Sequence, residues 1–268
     1  MESEPIWEDF AALPAEAQKQ VADYVAFLRQ RYLKQQPSEI RVEAEQRASL
    51  DDEYRERKYL AHNIDIIGIA MSRALQELAT EDRLLEHILC GRAHMRIMFL
   101  SPVAGYVERR AHEDGKTVRE LSEILEQSLL YCARPRNNSV EGQSNPEIYR
   151  RLSDLYKTAM NMKQLTLPNA GSLEIRLIDS CPHYTIYRTD EDILWGLYTS
   201  DTTGLYRAVI SVPQKQNILF GQLMGHFDTL WNECAERWII RYRGLDQPQL
   251  NSDLLIEILK GIEARSRY

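Results

Sequence analysis

The residues best suited to holding an anion are Ser72, Arg73, His183, Thr185, Arg134 and Arg136. Ser72 and Arg73 directly follow a strand-like run, and ligands in α/β sheets favour the carboxyl ends of strands. His183 follows Pro182 at the start of another strand-like segment, where its imidazole has the chemistry to carry a proton or contact a ligand. Thr185 adds a hydroxyl, and Arg134 and Arg136 stand in the turn-rich stretch 134–142. An arginine, a protonatable histidine and two hydroxyls together match a phosphate or a nucleotide. Simpler roles exist for each group: Ser72 as a helix cap, His183 as a surface hydrogen-bonding group, and Asp190 as a former of the acidic turn 189–192. The other histidines (His62, His87, His94, His112 and His226) share no metal-ligand spacing, and the four cysteines form no C-x-x-C pair. No metal or cofactor is expected.

These groups must be positioned by a mixed α/β fold. Ile64–Ala70 and Met95–Leu100 are apolar runs of strand length with helical patterns between and after them. One helical pattern runs from Leu75 to Leu89, with Gly91 available for a left-handed cap. Further helices are expected near 103–111, 117–131 and 146–164. Four strand candidates follow in quick succession, 173–178, 184–188, 193–198 and 208–212, and read as a meander. A long helix over 221–242 carries Trp231 and Trp238 on one face, and a short helix covers 251–262. The expected fold class is α/β, a mixed β-sheet flanked by helices and preceded by a helical segment.

Three parts are expected along the chain. Residues 1–36 form a helical association module, in which Ala17, Val21, Tyr24, Val25, Leu28 and Tyr32 make an apolar stripe that calls for a partner surface. Residues 37–58 are a charged helical linker, solvated by alternating acidic and basic side chains. Residues 59–268 carry the α/β domain. The chain has 268 residues and a formal charge of -7, so it is long enough for a sizeable core but lacks a bulk basic surface for nucleic acid. The start of the chain has no signal-peptide layout and no apolar run is long enough to span a bilayer, which points to a cytoplasmic protein without membrane contact.

Two resemblances add to this reading. The string from Trp7 to Pro14, followed by Val21–Leu28, looks like a short antitoxin-like bacterial helical module, which implies an association role. The order of elements over about 180 residues resembles one lobe of the phospholipase D superfamily. The resemblance rests on the strand Ile64–Ala70 with its glycine, the strand Ile97–Leu100 ending in a proline turn, the segment His183–Asp190, and the helix around Phe227–Trp231. The family signature is H-x-K-x4-D. His183 and Asp190 fit its histidine and aspartate, which makes them the implied catalytic pair, but Thr185 stands at the lysine position. In active members a histidine attacks phosphorus and a lysine stabilises the phosphoryl charge. Thr185 supplies no charge, and Arg188, three residues on in a strand, points to the other face.

Two functions follow from the resemblance. The first is a non-catalytic ligand-sensing or protein-interaction protein on a degenerate phospholipase D-like lobe, in a bacterial regulatory, toxin–antitoxin or defence setting. The second is a homodimeric, metal-independent phosphodiesterase or nuclease using His183 from each subunit. Both imply a homodimer. The first also implies an anionic small molecule or nucleotide, or a protein partner, while nucleic acid stays open.

Overall fold

The computed structural model describes residues 41–44, 51–133, 147–162, 171–190, 192–198, 209–213, 218–244 and 246–265. The chain divides at Ser38/Glu39, and all of these residues belong to the second unit. The expected module at 1–36, and Arg134 and Arg136, lie outside the described residues.

The elements follow in the order β1 (Arg41–Ala44), α1 (Asp51–Leu60), β2 (Asn63–Gly68), α2 (Ser72–Thr80), α3 (Asp82–Cys90), β3 (His94–Leu100), α4 (Tyr106–Glu113), α5 (Val118–Cys132) and α6 (Ile148–Asn161). After them come β4 (Ser172–Ile178), β5 (Tyr184–Thr189), β6 (Asp192–Leu197), β7 (Val209–Pro213), α7 (Ile218–Glu233), β8 (Trp238–Arg243), β9 (Gln249–Leu250) and α8 (Ser252–Arg265). The nine strands form one sheet in the order β1-β7-β6-β5-β2-β3-β4-β8-β9. β2, β3 and β4 are parallel at its centre, and every other pairing is antiparallel. The mixed α/β class expected from the sequence is the fold observed.

The central strands are covered by helices on both sides, one side apolar along its length and the α7 side apolar toward the carboxyl ends of the strands. Ile64, Ile66, Ile97, Phe99, Ile175 and Leu177 meet α2, α3, α5, α6 and α8 in the larger core. Ile67, Met98, Ile178 and Ile186 meet Phe220, Leu223, Phe227 and Trp231 of α7 in a second core. Gly171 is required where β4 begins, because a Cβ there would lie 1.9 Å from the carbonyl oxygen of Ala93.

Several expectations are corrected. The helix expected over Leu75–Leu89 is two helices that meet at Glu81, whose extended backbone (φ -108°, ψ 109°) breaks the run. Gly91 is not left-handed (φ -101°); Arg92 takes that conformation (φ 64°). The helix expected to reach Tyr242 stops at Glu233, and Trp238–Arg243 is a strand beside β4. Trp231 and Trp238 therefore do not share a helix face. The run Trp238-Ile239-Ile240 has the β-branched and aromatic content of a strand.

The stretch 37–58 is not simply a solvated linker. Arg41–Ala44 alternates polar and apolar residues, the strand period, and pairs with β7 at the sheet edge. At the end of α1, Lys58 is buried and ion-paired with Glu77, and the Tyr59 hydroxyl donates to Glu81. These contacts dock α1 on α2 and α3. Replacing Gly171→Ala forces backbone apart, so urea unfolding should show a loss of about 1–3 kcal/mol. A change within about 0.5 kcal/mol would mean that β4 and the Ala93 backbone separate freely.

Candidate functional site

Strand β5 carries the residues singled out by the sequence. Its pairing with β2 matches Ile67 with Ile186 and Ile64 with Thr189. The start of β5 thus lies at the carboxyl end of β2, and its finish lies at the amino end. His183 sits just before β5, at the same sheet edge as Ser72 and Arg73.

That edge is held together by Tyr198. The Tyr198 N–H donates to the His183 carbonyl at 3.0 Å, and the Tyr198 hydroxyl accepts from the Ile69 N–H at 3.0 Å. Gly68 makes room for this contact, since a Cβ there would lie 2.9 Å from the Tyr198 Oη and 2.5 Å from the Met71 Cε. Met71 turns the chain into α2 with φ 52°. Beneath, the Arg110 guanidinium lies 5.0 Å from the centre of the Tyr198 ring and is paired with Glu113 and Asp114.

The polar groups expected to converge here are engaged elsewhere. Ser72 Oγ is 2.8 Å from Ser128 Oγ, which itself donates to the Ile124 carbonyl. Arg73 lies 3.7 Å from Glu77 along the same helix and is half exposed. The Thr185 hydroxyl donates to the Gly196 carbonyl across the strand pair at 3.4 Å. An open groove of about 500 Å³ does border Ser72, but its other walls are Lys116, Glu120, Glu123, Ile124 and Gln127. Two carboxylates beside one lysine do not favour an anion.

Asp190 is far from His183. Seven residues of extended chain span roughly 20 Å. The Asp190 carboxylate accepts the His62 N–H at 3.0 Å and the Asn63 N–H at 2.8 Å, and the residue itself is left-handed (φ 50°). It fastens the β5–β6 turn to the start of β2. The structure therefore places the implied catalytic pair at opposite ends of β5. His183 is exposed, with no side-chain partner among the described residues.

A different polar assembly dominates the α7 face. Strand register sets Arg188 beside Asp65, Asp65 beside Arg96, Arg96 beside Glu174, and Glu174 beside Arg241. Five adjacent strands thus carry a row of alternating charge. Asp65 is buried and accepts from Arg96 Nε at 2.6 Å and Arg188 Nη1 at 2.7 Å. Glu174 accepts from Arg176 at 2.7 Å, Arg241 at 3.0 Å and Arg243 at 2.8 Å. Aromatic rings support the row from α7: Arg176 lies 3.8 Å above Trp231, and Arg96 lies 4.7 Å from the Phe227 ring. Arg96 also reaches Asp228 at 2.8 Å. Burial opposes ionisation of Glu174, but the hydrogen bonds from Arg241, Arg243 and Arg176 outweigh it and hold its carboxyl below the ordinary value of 4.5.

This row was missed in reading the sequence. Its signal is charge inside otherwise apolar strands: Asp65, Arg96 and Arg188 singly, Glu174 together with Arg176, and Arg241 together with Arg243.

Burial raises all four thiols above their ordinary value, Cys90 and Cys181 included. Burial pushes the Cys132 thiol well up and the Cys234 thiol to about 11. Among the described residues no group of three His, Cys, Asp or Glu is placed to hold a metal ion, and no helix is long and apolar enough to cross a membrane.

No protein-family model and no curated protein matches the chain. Among solved structures it is similar to TrmBL2, an archaeal chromatin protein reported to show a novel mode of DNA binding. The identity is 12% and the TM-score 0.36, over 85% of this chain and 66% of that one.

Two outcomes are expected of the charged row. Asp65→Ala leaves Arg96 and Arg188 without their shared carboxylate and should lower unfolding stability by about 3–5 kcal/mol; a loss under 1 kcal/mol would show that the row is not structural. Glu174 titrates lower when folded than unfolded, so its contribution is present above pH 4.5 and is lost as pH falls through the folded value. Unfolding curves of Glu174→Gln should accordingly show a shallower acid slope than the native protein, and identical slopes would contradict this.

Proposed function

We propose that the protein is a non-catalytic ligand-sensing or interaction protein, built on a degenerate phospholipase D-like lobe. The observation that carries this reading is Thr185, which stands at the lysine position and brings no charge beside His183, while Asp190 is bonded to the backbone of His62 and Asn63. His183 is left without an orienting carboxylate, and the hydroxyl of Thr185 is used within the strand pair. Phosphoryl transfer needs a positioned cation near the attacking histidine. Arg188, the cation nearest in sequence, is bound to Asp65 on the other face. The parallel β2–β3–β4 core, the meander after it and the helix α7 support the phospholipase D-like frame that the sequence resembles. The apolar stripe expected over residues 17–32 supports assembly as a homodimer.

On a chromogenic phosphodiester with chelator present, the native protein should turn over no faster than His183→Ala. Turnover at least tenfold above that variant would instead establish a metal-independent phosphodiesterase. Sedimentation at micromolar concentration should show a dimer of the 31.2 kDa chain; a stable monomer would remove the assembly part of the reading.

A further inference from the structure

The charged row on the α7 face is unequal in sign at one end. Around Asp65 the charges balance, with Arg96 and Arg188 facing Asp65 and Asp228. Around Glu174 three guanidinium groups, those of Arg176, Arg241 and Arg243, share one carboxylate. Two positive charges are therefore left over within a few ångströms. Arg176 is buried and fully committed, donating also to the Trp231 carbonyl. Arg241 is 25% exposed and Arg243 is 59% exposed. Arg243 uses Nη2 alone, so its Nε and Nη1 have no protein acceptor among the described residues.

The neighbouring positions are polar as well. Ser172 is paired in register with Arg243 on one side and His94 on the other. His94 Nδ1 is 3.0 Å from Ser172 Oγ, and the ring is exposed. Gln249 pairs with Arg241 at the sheet edge and is exposed. Alternation along the strands puts Ser172, Glu174, Arg241 and Arg243 on one face. Adjacent strands lie about 4.8 Å apart, so the His94–Ser172–Arg243 row spans roughly 10 Å, which the long arginine side chain can bridge.

We propose that Arg241, Arg243, Ser172 and His94 form a binding site for the phosphoryl group of a small molecule, on the shelf of the β3–β4–β8 strands. Arginine forks match phosphate oxygens in a bidentate way. Glu174 and the Trp238 ring, 4.5 Å from the Arg241 guanidinium, fix the orientation of the fork. A small anion is favoured over a polymer because the whole chain carries -7. At physiological salt the attraction of the local cluster reaches only about 8 Å, which covers one phosphoryl group but not an extended polyanion. The site rests on the ligand-sensing reading, and lies at the end of the parallel strands away from His183.

The test is calorimetric titration of the full chain with inorganic phosphate at low salt. Arg243→Ala, at a 59% exposed position whose loss leaves Glu174 its bonds to Arg176 and Arg241, should weaken binding about tenfold, Arg243→Lys should recover part of it, and Arg73→Ala should match the native protein. Circular dichroism of each variant checks folding. Absence of phosphate binding by the native protein, or binding by Arg243→Ala and Arg241→Ala as tight as that of the native protein, would overturn the site. Tight arginine-dependent binding of duplex DNA without phosphate binding would overturn the small-molecule assignment. Phosphodiester turnover through His183 would overturn the non-catalytic reading yet leave the phosphate result standing, so the two failures are distinguishable.

Discussion

The five-strand row Arg188–Asp65–Arg96–Glu174–Arg241 is the constraint on which the sheet depends. Hydrophobic strands alone specify register weakly when both faces are apolar, because a slip of one residue still buries apolar groups. Here a slip of β2 would carry Asp65 to the opposite face, against Ile97 and Tyr187 of the neighbouring strands, and leave Arg96 and Arg188 without their shared carboxylate. Buried charge without a partner is costly, so the wrong register is excluded more strongly than the right one is favoured. Arginine suits this role better than lysine. Its planar fork serves two acceptors at once, as Arg96 does with Asp65 and Asp228, and it stacks on Phe227 and Trp231.

The same row divides the α7 face into two regions. Toward the carboxyl ends of the parallel strands, α7 lays Phe220, Leu223, Phe227 and Trp231 over Ile67, Met98 and Ile178. Toward the amino ends, Asn63, His94 and Arg243 are exposed and polar. Asp228 and Trp231 stand at the boundary, where the helix both caps the apolar core and braces the arginines. Rigid strands, rather than loops, therefore present the polar shelf.

Much of the architecture was legible in the sequence and much of the site was not. Ile64–Ala70 and Met95–Leu100 announced buried strands because their apolar runs are short and bounded by turn residues. Of the four strands expected to form a meander between Leu173 and Val212, only β5, β6 and β7 do so; Ser172–Ile178 instead lies between β3 and β8, a placement that its turns do not reveal. The strand Trp238–Arg243 was absorbed into a helix because Trp231 and Trp238 happen to be spaced for one face. Lys58 looked like part of a solvated charge run because its partner, Glu77, is nineteen residues away. The charged row was invisible for the same reason on a larger scale: Asp65 and Arg188 are 123 residues apart in sequence. Local periodicity reports whether a residue faces a core, and not which distant residue it faces.

The fate of the His183–Asp190 spacing shows how backbone geometry decides what a motif can do. Residues seven apart on a helix share a face two turns on, some 10 Å apart. On a strand the same spacing covers roughly 20 Å and reaches the far side of the sheet. His183 is tied by its carbonyl to Tyr198 at one edge, while Asp190 is tied by its carboxylate to His62 and Asn63 at the other. The first tie holds the start of β5 to Tyr198 at the end of β6, whose hydroxyl reaches Ile69 beyond β2, and the second holds the finish of β5 to the start of β2. A matched pattern can in this way serve the ends of a strand, and Thr185 adds no charge to it. On the ligand-sensing reading proposed above, recognition falls to Arg241 and Arg243, the exposed arginines around Glu174.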